Sequence, residues 1–302
     1  MILYQFKKIN ENVLDNIRKR QIWLSSPHKF NDPFDTIIRL GNELDEKIFH
    51  LCIDFYNDNI ANGDRLEYHE CLFLFPSVDG EEGDSPFPSF SESINFVLRG
   101  RPEFQIPLLN KIKGQVGNDS YAVISYLSVY SDIGVSCFST AWYEPVMWAY
   151  YADNHQGICI KYEIDETSFD PTLRLIPVSY DDNIPDYAFA TSDTALDSSV
   201  IEKQIGNKST PWSYENEYRI VSKNICEGAI PIPGEIVSIC TGIKTTKENK
   251  EKVFEAVGNE SKILLGNISK SSDYRKFDWA CLRPPSSKLD FMYYSPKLEK
   301  GH

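Results

Sequence analysis

A chain of 302 residues with a hydrophobic share of 41% and an aromatic share of 13% carries enough apolar surface to offset the entropy of ordering it, which excludes global disorder. Its formal net charge of −13 opposes sequence-independent attachment to a phosphate backbone, so nucleic acid is a disfavoured partner. No stretch approaches the roughly 20 apolar residues of a membrane span, and the opening Met1-Ile2-Leu3-Tyr4-Gln5-Phe6 lacks the basic and apolar regions of a signal peptide, which predicts no membrane attachment and a cytoplasmic protein.

Residues 2–6 read as a strand, 11–20 as a short helix and 21–25 as a second strand that ends before Pro27. Asn31-Asp32-Pro33-Phe34-Asp35 is a turn, because Asn and Asp side chains bond to nearby backbone and Pro33 restricts the residue before it. Beyond it Leu44, Ile48, Leu51, Cys52 and Phe55 fall at helical spacing on one face. The run of Gly, Pro, Ser and acidic residues from 79 to 93 predicts an exposed loop, and a more helical segment follows it. Residues 40–132 are therefore expected to form a mostly helical insertion between two halves of a β-rich core, within a single domain spanning 1–302.

Residues 134–138 read as a strand, and Pro145 opens a helix expected to run to about Asp153, since the missing N–H of proline is harmless in a first turn. Gly157 releases the chain into a half-buried strand in which Ile158, Ile160, Tyr162 and Ile164 alternate onto one face. Further strands are expected at 174–180, 217–222, 236–240 and 262–268, with helices near 195–205 and 247–257. The seven cysteines, Cys52, Cys71, Cys137, Cys159, Cys226, Cys240 and Cys281, stand singly and lack a C-x-x-C pair. That is the pattern of small buried hydrophobes in a reducing compartment. His28, His50 and His69 are too dispersed to form a metal centre, and no metal is implied.

Two stretches are distinctive: Trp23-Leu24-Ser25-Ser26-Pro27-His28-Lys29-Phe30-Asn31-Asp32-Pro33-Phe34-Asp35, and Met147-Trp148-Ala149-Tyr150-Tyr151-Ala152-Asp153-Asn154-His155-Gln156-Gly157-Ile158-Cys159-Ile160. With Cys137-Phe138-Ser139 and Trp212-Ser213-Tyr214-Glu215-Asn216-Glu217-Tyr218-Arg219, they resemble a bacterial family known only as a domain of unknown function, DUF 2971. The order of parts also resembles the three-part site of ADP-ribosyltransferases: an opening strand with polar and aromatic side chains, a serine-bearing strand before an aromatic-rich helix, and a late Glu-x-Glu strand. That resemblance implies an α+β fold with a split, bent β-sheet core that holds NAD in its cleft.

Under this resemblance Glu217 grips the ribose of NAD and Glu215 orients or deprotonates the acceptor. Residues two apart on a strand share a face, which places Glu215, Glu217 and Arg219 side by side if the strand begins at or before Glu215. The alternative is an exposed strand face carrying an ordinary Glu–Arg pair. Ser139 either braces the glutamate and ribose or caps a turn. Tyr151 either stacks on nicotinamide or joins the core. His155 reads as a cap on the carbonyl end of the preceding helix. Tyr4, Gln5 and Lys7 occupy the first-strand positions that hold the ribose or adenylate half of NAD in such enzymes, but the histidine or arginine expected there is absent. The implied activity is that of an NAD-dependent ADP-ribosyltransferase or NAD glycohydrolase, with a protein as one acceptor and a toxin or phage-defence role by analogy. The alternative is a non-catalytic module that binds a nucleotide or a partner, and a nuclease or other hydrolase ranks last.

Overall fold

A computed structural model of the chain describes residues 1–32, 35–36, 42–61, 63, 65–67, 90–98, 101–116, 133–183, 198–258, 262–270 and 277–281. In chain order, strand β1 (Ile2–Lys7) leads to helix α1 (Glu11–Lys19) and strand β2 (Gln21–Leu24). Asn10 starts α1 by accepting a hydrogen bond from the Val13 N–H at 3.0 Å, and Arg20 ends it in the left-handed region at φ 55°. Helices α2 (Asn42–Asn59), α3 (Phe90–Leu98) and α4 (Gln105–Val116) follow, then β3 (Gly134–Ser139), α5 (Pro145–Tyr150) and β4 (Ile158–Ile164). The remainder is β5 (Leu173–Pro177), β6 (Ser179–Tyr180), α6 (Ser198–Ile205), β7 (Asn207–Lys208), β8 (Glu217–Ser222), β9 (Gly228–Pro231), β10 (Gly234–Thr241), α7 (Lys247–Val257), β11 (Leu264–Lys270) and β12 (Phe277–Cys281). The fold is α+β. Among the described residues no helix is long and apolar enough to cross a membrane.

The chain divides into two compact units, one from Met1–Lys29, Asp132–Val178 and Thr210–His302, the other from Phe30–Ser131 and Ser179–Ser209. The first unit holds a mixed sheet in the order β12-β11-β10-β4-β1-β3-β8-β5. β1 pairs with β4 along its whole length, from Ile2 opposite Glu163 to Lys7 opposite Ile158. On its other side β1 meets β3 at one register position, Tyr4 opposite Ser139, whereas β3 and β8 again pair along their length. The sheet is thus open along much of the β1–β3 seam. Two groups close the gap on the β3 side. Ser25, just past β2, exchanges both backbone hydrogen bonds with Val135, and the Gln5 amide donates to Ser136 Oγ at 2.8 Å and to the Cys137 carbonyl at 3.0 Å. The Tyr162 hydroxyl donates to Gln5 Oε1 at 3.2 Å, so this buried side chain is satisfied at both ends.

Alternation along β1 sends Leu3, Gln5 and Lys7 to one face and Tyr4 and Phe6 to the other. The first face is packed by α1, β2 and α7, where Leu3, Leu14, Ile17, Ile22, Ile160 and Val253 share one apolar cluster. On the second, Phe6 lies edge-on to Trp148 of α5 at 5.3 Å, with Met147, Cys159 and Cys240 beside them. Cys52, Cys159 and Cys240 are buried free thiols, and burial pushes those of Cys52 and Cys159 above the ordinary range.

In the second unit α2, α3 and α4 bury Ile48, Cys52, Phe55, Ile94, Val97 and Leu108 together. Its short strands β6 and β7 pair in parallel. Here the Asn31–Asp35 turn finds its partners: the buried Asp35 carboxylate lies 3.7 Å from the buried Lys208 ammonium, and the Gln204 amide donates to the Thr36 carbonyl at 2.8 Å. Pro33 and Phe34 lie outside the described residues.

Several expected boundaries shift. The helix opened by Pro145 stops at Tyr150, not near Asp153, because Asp153, Asn154 and His155 adopt left-handed φ values of 50°, 53° and 68°. These are residue types that tolerate that region better than most, and three in succession end a right-handed helix abruptly. Of the loop expected at 79–93, the last part is the start of α3, and residues 79–89 lie outside the described ones. The strand expected over 174–180 breaks at Val178, whose N–H donates instead to the Glu217 carbonyl.

Candidate functional site

Register brings three of the singled-out residues into one row. Tyr4 on β1 is directly opposite Ser139 on β3, and Ser139 is directly opposite Glu217 on β8. Directly opposed residues on neighbouring strands point to the same face, so the three side chains stand side by side across the seam. Ser139 ends β3, where its buried hydroxyl donates to the Glu215 carbonyl at 2.5 Å and accepts from the Ala141 N–H at 2.9 Å. It therefore ties the end of β3 to the residues entering β8. Ser139→Ala leaves a buried carbonyl and N–H without this partner and is expected to lower stability by about 2 kcal/mol in a denaturant melt.

Glu217 and Arg219, two apart on β8, form a bidentate pair: Arg219 donates from Nε to Oε1 at 2.8 Å and from a terminal nitrogen to Oε2 at 3.1 Å. The expected exposed strand face is not what the structure contains, since Glu217 is 4% exposed and Arg219 is fully buried. A buried carboxylate needs such a partner, and the planar fork of arginine fixes its orientation.

Glu215 does not share that strand. It ends a 3-10 turn, Thr210–Glu215, and Asn216 at φ 44° swings the chain before β8 begins at Glu217. The expected side-by-side row of Glu215, Glu217 and Arg219 is therefore corrected to Glu217 and Arg219 alone. The buried Glu215 carboxylate instead accepts from the Tyr151 hydroxyl at 2.6 Å. Tyr151 sits at the end of α5 beside Tyr150, with ring centres 4.9 Å apart, and Tyr150, 57% exposed, faces Trp212 at 6.1 Å. Trp148, by contrast, is wholly in the core and donates from its indole to the Trp142 carbonyl.

Gln5 and Lys7 do not join this group. They occupy the opposite face of β1 from Tyr4, where Gln5 spans the seam and Lys7 lies half-buried beside α1. Loss of water around Lys7 pushes its ammonium below the ordinary range, an effect partly offset by the nearby Cys137. His155 caps α5 through its backbone, its N–H donating to the Trp148 carbonyl at 3.0 Å. Burial, and to a smaller extent the charge of Lys244, disfavours the imidazolium, which weakens a cationic contact with the helix dipole. Among the described residues no three His, Cys, Asp or Glu side chains are grouped to hold a metal ion.

Tyr4, Ser139, Tyr151, Glu215 and Glu217 thus come together within the first unit, while Gln5 and Lys7 face away. Sequence reasoning read the Glu217–Arg219 pair only as an exposed one and missed its burial, and it missed the turn at Asn216. The one available signal was asparagine between two glutamates, a residue type that tolerates positive φ.

Residues 147–220 match the model of a family described as a protein of unknown function, DUF2971. The match runs from α5 to β8 and includes Tyr151, Glu215, Glu217 and Arg219. No curated protein and no solved structure matches the chain, so the resemblance to ADP-ribosyltransferases has no matching relative behind it.

Proposed function

We propose that the first unit binds NAD at the β1–β3 seam and cleaves its nicotinamide–ribose bond, as a glycohydrolase or an ADP-ribosyltransferase. What supports this reading is the row Tyr4, Ser139, Glu217 across three neighbouring strands, with the Tyr151–Glu215 pair next to it. In the reaction the C–N bond breaks with its electron pair leaving on nicotinamide, and the ribose carbon passes through an oxocarbenium-like state. Water or an acceptor hydroxyl, amine or guanidine then adds to that carbon and loses its proton.

A carboxylate held against the ribose stabilises charge that exists only in the transition state. Glu217 takes that role, with Arg219 as the positioning residue that holds the carboxylate in one orientation. Tyr4 and Tyr151 supply aromatic surface for the nicotinamide and ribose. Glu215, through its contact with Tyr151, is the group placed to orient the incoming nucleophile.

A second reading, a nucleotide-binding module without turnover, is favoured by one observation: both oxygens of Glu217 are engaged by Arg219. The two readings separate when the pure chain is incubated with NAD while free nicotinamide and NAD binding are measured together. Saturable binding with nicotinamide release is the expected result. Binding without release would favour the module, and neither binding nor release would remove NAD as the ligand.

A further inference from the structure

On the opposite face of the sheet from Tyr4 and Glu217, β1, α1, β2 and β4 enclose a cleft of about 210 Å³. Its floor is apolar, built from Ile17, Ile22 and Ile160. Asn12, Asn16, Gln21 and Lys7 also line it, as does Trp23, which is 43% exposed.

Three other polar residues that line it, Gln5, Asn10 and Tyr162, are occupied. Gln5 is bonded to Ser136, Cys137 and Tyr162, and Asn10 caps α1. The three remaining amides and the Lys7 ammonium make no hydrogen bond or ion pair among the described residues. Among the described residues that line it none is a carboxylate, in a chain whose net charge is −13. A lysine held half out of water with the Cys137 thiol nearby but no carboxylate beside it, at the one charged position among the described residues that line an otherwise amide-rich cleft, marks a place for a single negative group.

Each amide offers both a donor and an acceptor, the complement of a hydroxyl, and an exposed indole offers a flat apolar face to a ring. The space is smaller than the roughly 300–1,000 Å³ of a site for a drug-sized ligand, which suits one sugar ring. We propose that this cleft binds a small hydroxylated anion, a monosaccharide bearing one phosphate or carboxylate, with the anionic group on Lys7, the hydroxyls on Asn12, Asn16 and Gln21, and the ring against Trp23. The site does not depend on the NAD reading, because none of its residues belongs to the Tyr4–Ser139–Glu217 row.

The test titrates the full chain by calorimetry with glucose 6-phosphate, ribose 5-phosphate, glucuronate, glucose and inorganic phosphate. Saturable binding of a phosphorylated or acidic sugar, at least tenfold tighter than glucose and than inorganic phosphate, is expected, and comparing glucose 6-phosphate with glucuronate identifies the anion. Lys7→Met and Asn12→Leu should each weaken that binding at least tenfold, and Asn12, being exposed, keeps the test open if the Lys7 variant folds poorly. Three results overturn the proposal: no saturable binding across the panel, glucose or phosphate alone binding as tightly as the sugar anion, or unchanged affinity in folded Lys7→Met or Asn12→Leu.

Discussion

Glu217→Gln is expected to reduce nicotinamide release by about 100-fold or more and to lower the melting temperature as well. The first effect follows from the proposed role of the carboxylate, since glutamine keeps its size and loses the charge that opposes the oxocarbenium. The second follows from burial. Arg219 is fully buried and binds Glu217 through two nitrogens, so a neutral partner leaves a guanidinium in the interior without its counter-charge. Removing one member of such a pair costs about 3 kcal/mol or more. A drop in activity alone would therefore be ambiguous.

The pair Glu217→Leu with Arg219→Met resolves it. Replacing both charges by apolar groups of similar volume is often neutral or stabilising, so the double variant should melt near the wild type while remaining inactive. Nicotinamide release, NAD affinity and thermal melts on wild type, Glu217→Gln and the double variant form one experiment. Release at the wild-type rate per folded molecule in either variant would remove Glu217 from the chemistry.

Gly157→Ala is expected to destabilise the first unit by about 3 kcal/mol, a fall of roughly 6–12 °C in melting temperature for a chain of this size. Gly157 stands between the left-handed turn Asp153–His155 and the start of β4. Its N–H donates to the Ala152 carbonyl at 2.8 Å, and its own carbonyl accepts from Gly242 at 2.9 Å. A Cβ there would overlap the Lys7 carbonyl oxygen and press on the backbone of Ala152. Backbone cannot swing aside as a long side chain does, so β1, β4 and the turn would have to move together. Gly114→Ala is the control: it lies exposed within α4, nothing stands within 4 Å of the added carbon, and alanine is favoured over glycine in a helix by about 0.5–1 kcal/mol. Circular-dichroism melts of both variants measure the contrast, and equal melting temperatures would mean that the close approach at Gly157 does not exist.

Local pattern carried far in this chain, and its reach has a clear limit. The alternation of Ile158, Ile160, Tyr162 and Ile164 marks β4 because period two is set by the extended backbone, whatever the neighbouring strands are. The same reasoning places β1, β3 and β8 and yields an α+β class. It misses β9, whose Gly-Ala-Ile-Pro carries turn residues at both ends and becomes a strand through pairing with β2. It also overextends the helix after Pro145, since left-handed geometry at Asp153, Asn154 and His155 is permitted by their side chains without being required by them.

For the candidate site, residue types at Tyr4, Ser139, Tyr151, Glu215 and Glu217 were readable from the chain, and so was the sharing of a strand face by Glu217 and Arg219. Which strands are neighbours was not. That Tyr4 faces Ser139 and Ser139 faces Glu217, that Gln5 fills the seam, that Lys7 turns to the other side, and that Arg219 is buried against Glu217 were decided by tertiary structure. The reason is that alternation fixes which residues of one strand share a face, while sheet order and register depend on contacts between segments far apart in the chain, and a shift of one residue would exchange the two faces.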